Sequence, residues 1–149
     1  MNLTNLISKL RKVDISNYNK LFRYNMFLKN YKTEDWLNYL DKSQIHNFQK
    51  NLVLRDNQFE IYLINWPFEY ISNIHNHAEN GCLMKVLQGQ LQEELYTDKL
   101  DLIETNIKYK GDVSYIDNSI GYHSINNRAP FNTTSLHVYS PPLHKTDYY

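Results

Sequence analysis

Apolar side chains recur at Leu3, Leu6, Ile7 and Leu10, the i, i+3, i+4, i+7 spacing of one helix face. This pattern predicts an amphipathic first helix. Ser16, ahead of Tyr18, Leu21, Phe22 and Met26, predicts the cap of a second. Thr33, followed by Glu34 and Asp35, predicts a third start, because acidic side chains favour the first helical turn. Neither glycine nor proline occurs before Pro67, which suits helices. From about residue 47 the texture changes to short β-like runs. They are Asn51 to Leu54, Phe59 to Trp66, Ile71 to His75, Cys82 to Leu87, Leu91 to Tyr96, Leu102 to Tyr109, Val113 to Ile116, Gly121 to Ile125 and Thr134 to Ser140. Turn signals separate them at Asp56-Asn57, Asn80-Gly81, Gly89, Gly111 and Asp117-Asn118. Many short strands at regular spacing predict a mainly β sandwich or small antiparallel barrel. The expected organisation is one domain, with a helical cap over residues 1–46 and the barrel over 47–149.

The chain has 149 residues, enough for a substantial core. Its formal net charge is zero, so no electrostatic case exists for nucleic acid or an anionic membrane. No apolar run is long enough to span a bilayer. Lys9, Arg11 and Lys12 lie within the helical pattern rather than ahead of an apolar stretch, which argues against a secretory signal. The single cysteine excludes an internal disulfide and fits a reducing, cytoplasmic setting. Thirteen tyrosines permit self-association without demonstrating it, and a monomer is the expectation.

Candidate chemistry concentrates around Ile74-His75-Asn76-His77 and Cys82. Histidines at i and i+2 project to one side of a strand, where two imidazoles can grip a divalent transition metal. An isolated pair of this kind is also common among ordinary surface or core histidines. The chain has six: His46, His75, His77, His123, His137 and His144. His75 and His77 form the best pair, Gly121-Tyr122-His123 offers a third imidazole, and other sets are conceivable. Ser135, His137 and Tyr139 alternate along one predicted strand and so share a face. They can form a hydrogen-bond chain that fixes the phenol, or simply a half-exposed polar face.

The order of Cys82, Gly89, Gly111, His123 and Asn127 after the histidine pair resembles the paired motifs of the cupin barrels. That likeness implies a cupin-type, jelly-roll-like barrel. Cys82 stands where many cupins carry a metal-binding glutamate. Without that carboxylate the ligands are three neutral imidazoles, which leave a divalent iron its full charge and suit a soft, anionic substrate. The resemblance then narrows. Ser72-Asn73-Ile74-His75-Asn76-His77 through Cys82, Lys85, Leu87-Gln88-Gly89 and Leu91 is similar to the first motif of the cysteine dioxygenases. Ile116 to His123 resembles that family's second histidine segment, and Ser135-Leu136-His137-Val138-Tyr139-Ser140-Pro141-Pro142 its closing segment.

The resemblance, from about Asn47 to Pro142, implies Fe(II) held by His75, His77 and His123, with dioxygen as co-substrate and no organic cofactor. It implies a small thiol substrate, L-cysteine, converted to cysteine sulfinate. It also implies a relay of Ser135, His137 and Tyr139 beside the iron, and a thioether between Cys82 and Tyr139. Trp66, nine residues before His75, matches a family position and is expected to pack around the site. The chain departs from the family where an arginine and a tyrosine bind the substrate carboxylate: Lys50 and Phe48 stand there. Lysine offers a point charge in place of a planar fork, and phenylalanine no donor. Arg55, in a nearby turn, is the alternative cation. A related branch acting on 3-mercaptopropionate has a neutral polar residue instead, so a different small thiol is the competing substrate. A cupin domain that binds metal or thiol with little turnover is the competing class. The family's segment after the two prolines is longer than Leu143 to Tyr149, which implies a pocket wall that is missing, shortened or supplied otherwise. A cis peptide is expected at Ser140-Pro141.

Overall fold

In the computed structural model, which describes residues 1–149, the first helix α1 runs Leu3–Arg11, with Leu3, Leu6 and Leu10 buried as their spacing predicts. The Asn2 side chain caps it by accepting from the Asn5 amide at 2.9 Å, and Lys9 and Arg11 fall in the last turn, where cations suit the helix dipole. The next predicted helix is deferred. Ser16 closes a turn on itself, its hydroxyl accepting from the Asn19 amide at 3.3 Å, so the local side-chain bond displaces a helical start. A 3-10 helix at Leu21–Tyr24 leads into α2, Asn25–Asn30. Only Leu21 and Leu28 of this stretch are buried; Tyr18, Phe22 and Met26 are exposed. The third start yields one short 3-10 helix, Asp35–Tyr39. Asp35 is engaged elsewhere, accepting from the Leu3 amide at 2.8 Å and from the Tyr31 and Thr33 hydroxyls.

Eight strands follow: β1 Gln49–Arg55, β2 Glu60–Trp66, β3 Cys82–Gln88, β4 Gln90–Tyr96, β5 Leu102–Tyr109, β6 Val113–Ile116, β7 Tyr122–Asn126 and β8 Thr133–Tyr139. They form two antiparallel sheets, ordered β1-β2-β8-β3-β6 and β5-β4-β7. The sheets face one another without hydrogen bonds closing them into a continuous barrel. The predicted strand Ile71 to His75 is absent. This segment meets the β7 strand only at points, Ile71 opposite Asn126 and His75 opposite His123, and bulges between them.

Alternation along the central strands divides the core. Ile61, Leu63, Leu83, Leu136 and Val138 point outward and bury Leu3, Leu6, Leu10, Leu21, Leu28 and Trp36 of the N-terminal elements. Both faces of the five-stranded sheet are therefore covered, which explains why β2, β3 and β8 read as nearly unbroken buried runs. Lys85 lies on the outward face. Its ammonium donates to the Leu28 carbonyl at 2.8 Å and to those of Lys29 and Tyr31, closing the carbonyl end of α2. The inward face carries Tyr62, Ile64 and Trp66 from β2, Cys82, Met84 and Val86 from β3, and Ser135, His137 and Tyr139 from β8. Registers set Cys82 opposite Tyr139, Met84 opposite His137 and Val86 opposite Ser135. Gly81, just before Cys82, has φ +90°, and a Cβ there would collide with the Tyr115 ring. No helix is long and apolar enough to cross a membrane.

Candidate metal centre

His75, His77 and His123 converge, with their ligand nitrogens all within 4.8 Å of one another. The i, i+2 strand argument is not what aims the first two, since neither lies in a regular strand. His75 is fixed by paired backbone bonds with His123, at 3.0 and 3.3 Å. The His77 peptide is bracketed by Asn118, whose Oδ1 accepts its amide at 2.8 Å and whose Nδ2 donates to its carbonyl at 3.1 Å. His123 projects from β7 and is buried.

Hydrogen bonding settles the tautomers of His75 and His123. His75 Nδ1 faces the Asn73 carbonyl at 2.9 Å and must donate to it, which leaves Nε2 a bare lone pair. His123 Nδ1 donates to Glu93 Oε1 at 2.8 Å, with the same consequence. Yet these two Nε2 atoms stand 3.1 Å apart, and His77 Nε2 is 2.9 Å from that of His123. Lone pairs facing one another at that distance repel unless a cation lies between them. Two nitrogens at right angles on a metal, with bonds of about 2.1 Å, stand about 3.0 Å apart. The donor set therefore fits a metal ion held by three imidazole nitrogens. Burial, then the neighbouring imidazoles, holds His77 and His123 well below the usual histidine range; burial chiefly lowers His75. All three are neutral near pH 7, as metal ligands must be.

Glu93 is the residue that motif reading overlooked. Burial pushes its carboxyl above the ordinary value, with Lys108 opposing. On β4 it shares phase with Leu91, and a glutamate at an inward, apolar position is the signal that marks it. A carboxylate behind a histidine ligand fixes ring orientation and raises ligand basicity.

The relay row is continuous and longer than its three predicted members. Trp66 Nε1 donates to Ser135 Oγ at 2.7 Å, and Ser135 Oγ lies 2.7 Å from His137 Nε2. His137 Nδ1 lies 3.2 Å from the Tyr139 hydroxyl. The indole is a fixed donor, which leaves the serine hydroxyl able to donate to Nε2, and this pairs with Nδ1–H donation to Tyr139. Trp66 is thus both packing and the head of the chain. Cys82 stands opposite Tyr139 across the β3–β8 pair, its Sγ 3.9 Å from His137 Nδ1, and burial pushes both the thiol and the phenol up, so both stay protonated at neutral pH.

A cavity of about 290 Å³ opens beside these residues, lined among others by Phe48, Lys50, His75, Tyr139, His144 and Tyr148. Phe48 stacks on Tyr70 at 4.4 Å and meets the Trp66 edge at 5.5 Å. The Lys50 ammonium lies 4.6 Å from the Tyr62 ring centre and 5.3 Å from that of Tyr139, with no carboxylate partner. Arg55, the alternative cation, is committed to Glu60 at 2.7 Å and the Tyr62 hydroxyl at 2.9 Å. His144, Thr146 and Tyr148 of the last residues line the cavity on the side expected to be missing, shortened or supplied otherwise. The Ser140–Pro141 peptide is cis. A larger cavity, about 610 Å³ between Tyr31, Trp36, Lys85 and Lys110, lies away from this chemistry.

Comparison with known proteins agrees with this geometry. Residues 3–149 match the family model for cysteine dioxygenase type I. The Danio rerio cysteine dioxygenase type 1 is 28% identical over 95% of this chain and 75% of its own length. The Bos taurus protein is 34% identical over 73% of this chain, and the matched region spans 58% of the bovine sequence. Among solved structures, a Klebsiella pneumoniae protein with a double-stranded β-helix domain superposes with a TM-score of 0.62 at 13% identity, covering 78% of this chain and 96% of that one. A cupin superfamily protein from Desulfitobacterium hafniense gives 0.52 at 13% identity, covering 63% and 77%. At such identities the structures establish the fold, a cupin, while the sequence matches carry the kinship. On those matches, the chain belongs to the cysteine dioxygenase type I family.

Proposed function

We propose that this protein is a non-haem iron thiol dioxygenase that converts L-cysteine to cysteine sulfinate. The observation that carries the reading is the convergence of three imidazole Nε2 atoms, those of His75 and His123 left unprotonated by their Nδ1–H bonds, with no carboxylate among them, on a small cavity. His75, His77 and His123 would hold Fe(II), which supplies redox chemistry with dioxygen and Lewis acidity toward a thiolate. Both oxygen atoms end on the sulfur, which loses four electrons to them, and no other reductant is required.

The remaining residues bind and orient. Lys50, its ammonium seated between the Tyr62 and Tyr139 rings, is the partner for the substrate carboxylate. The protonated Tyr139 hydroxyl, held from behind by His137, has its own proton free to donate toward the reacting centre. Phe48, Trp66 and Tyr70 form an aromatic wall that limits water around that centre. The Cys82–Tyr139 pairing supports formation of a thioether, from Sγ to a ring carbon beside the hydroxyl, with loss of one hydrogen from each partner and dioxygen as oxidant. Intact-protein mass before and after turnover tests this step; an unchanged mass refutes it.

Aerobic incubation with Fe(II) and a panel of small thiols, read by product mass, tests the function itself. Cysteine gaining two oxygen atoms is the expected result. Preferential oxidation of 3-mercaptopropionate moves the substrate to a thiol lacking the amine. Metal binding with no thiol oxidised refutes the enzyme reading.

A further inference from the structure

Residues Leu143–Tyr149 double back over the cavity and are tied to the loop between His75 and His77. The Asn76 amide donates to the Asp147 carbonyl at 3.2 Å, and the Tyr149 amide to the Ile74 carbonyl at 2.9 Å. Tyr149 stacks on Tyr122 at 5.0 Å, and Tyr148 bridges to His75. The segment carries His144 into the wall of the cavity.

The orientation of that imidazole follows from its neighbours. The Asn76 amide is held at both ends by Asp147: its Nδ2 donates to Asp147 Oδ2 at 3.0 Å, and its Oδ1 accepts the Asp147 amide at 2.9 Å. Asn76 Oδ1 can therefore only accept, so His144 Nε2, 3.1 Å away, must be the protonated nitrogen. Nδ1 is then a lone-pair acceptor with no partner in the protein. Burial shifts the ring below the usual histidine value against the opposing pull of Asp147 and Glu60, consistent with the neutral tautomer. Lys50, the unpaired cation of the same cavity, presents the complementary group.

We infer that His144 is a specificity-determining residue: its Nδ1 accepts an N–H from the substrate α-amino group while Lys50 holds the carboxylate, so the cavity selects a thiol that is also an amino acid. The inference rests on the dioxygenase reading and adds what distinguishes cysteine from thiol acids of similar size. An amino group that lends its lone pair elsewhere still carries N–H groups, so the contact does not depend on how the nitrogen is otherwise engaged. Losing one acceptor for an N–H costs about tenfold in affinity.

The test compares the iron-loaded wild type with His144→Phe and His144→Gln. Each is given L-cysteine (amine and carboxylate), 3-mercaptopropionate (carboxylate alone) and cysteamine (amine alone). Turnover is measured aerobically and binding by anaerobic calorimetry. Thermal midpoint and iron content, unchanged in both variants, verify that fold and metal site are intact. His144→Phe is expected to weaken L-cysteine and cysteamine about tenfold, in KM and Kd, and to leave 3-mercaptopropionate within twofold. His144→Gln, which keeps an acceptor, restores most of the loss. Equal weakening of all three thiols overturns the inference, as does a loss confined to the carboxylate-bearing pair. If the wild type oxidises no thiol, the dioxygenase reading fails by itself, and the calorimetric preference for amine-bearing thiols still decides the role of His144.

Discussion

The buried carboxylate behind His123 invites the most direct perturbation. Glu93 Oε1 accepts His123 Nδ1–H at 2.8 Å in a site where both side chains are nearly inaccessible. A hydrogen bond to a charged group is worth about 1.5–3 kcal/mol, and about 1.4 kcal/mol is tenfold in an equilibrium constant. Removing such a partner from a metal-ligating histidine characteristically costs about 10- to 100-fold in metal affinity. The two ends of that range correspond to different substitutions. Glu93→Gln keeps a neutral acceptor for Nδ1–H and should weaken Fe(II) binding about tenfold. Glu93→Leu leaves the donor buried and unpaired and should approach a hundredfold loss. Lys108, 3.8 Å from the other Glu93 oxygen and partly solvated, is the control, and Lys108→Met should change affinity less than about twofold. Competition of the apo proteins against a calibrated chelator under anaerobic conditions measures all of these. A Glu93→Leu protein that folds normally and binds iron within twofold of wild type would refute the tautomer argument on which the metal assignment stands.

Lys50→Ala should raise KM for carboxylate-bearing thiols about tenfold or more with a smaller change in kcat; an unchanged KM for cysteine removes Lys50 from the substrate site. Trp66→Phe deletes the indole donor to Ser135, and is expected to cost about 1 kcal/mol of stability and to slow turnover through a loosened His137–Tyr139 pair; undiminished kcat would detach the relay from catalysis. The apo protein should lose stability in mild acid. His75, His77, His123 and His137 are held below the ordinary value of 6.5, chiefly by burial, so below that value the unfolded chain binds more protons than the folded one. Their contribution is full above about pH 6.5 and is lost as pH falls toward the depressed folded values. Thermal midpoints that stay flat from about pH 8 to pH 5 would contradict four buried neutral imidazoles.

Much of the fold was legible because its determinants are local. The period-2 runs became strands within a residue or two, and the glycines and Asn/Asp pairs marked their turns. The exceptions have physical causes. The Ser16 side chain closes a tight turn, and Thr33 bonds the carboxylate of Asp35, which is tied to the Leu3 amide far back in the chain. Ile71 to His75 has strand-like composition but only point contacts with β7, so no ladder forms. The residues Glu93, Asn118 and Asn76 escaped motif reading because each acts on a histidine or a segment far along the chain. Their roles are hydrogen bonds between segments distant in sequence, which no spacing in the sequence encodes.

By itself the sequence determined which groups were available: imidazoles at 75, 77, 123 and 137, one thiol, the phenol at 139, and a lysine where the family carries arginine. It also determined the alternation that turns Ser135, His137 and Tyr139 to a common side, because side-chain direction in a strand follows residue parity alone. Only the tertiary structure decided that His75 and His123 share paired backbone bonds, that Cys82 stands opposite Tyr139, and that Glu93 sets the tautomer of His123. Only it brought the last seven residues, His144 among them, back over the cavity. These depend on the register of strands distant in sequence and on which groups burial leaves without water, and both are settled only when the sheets pack.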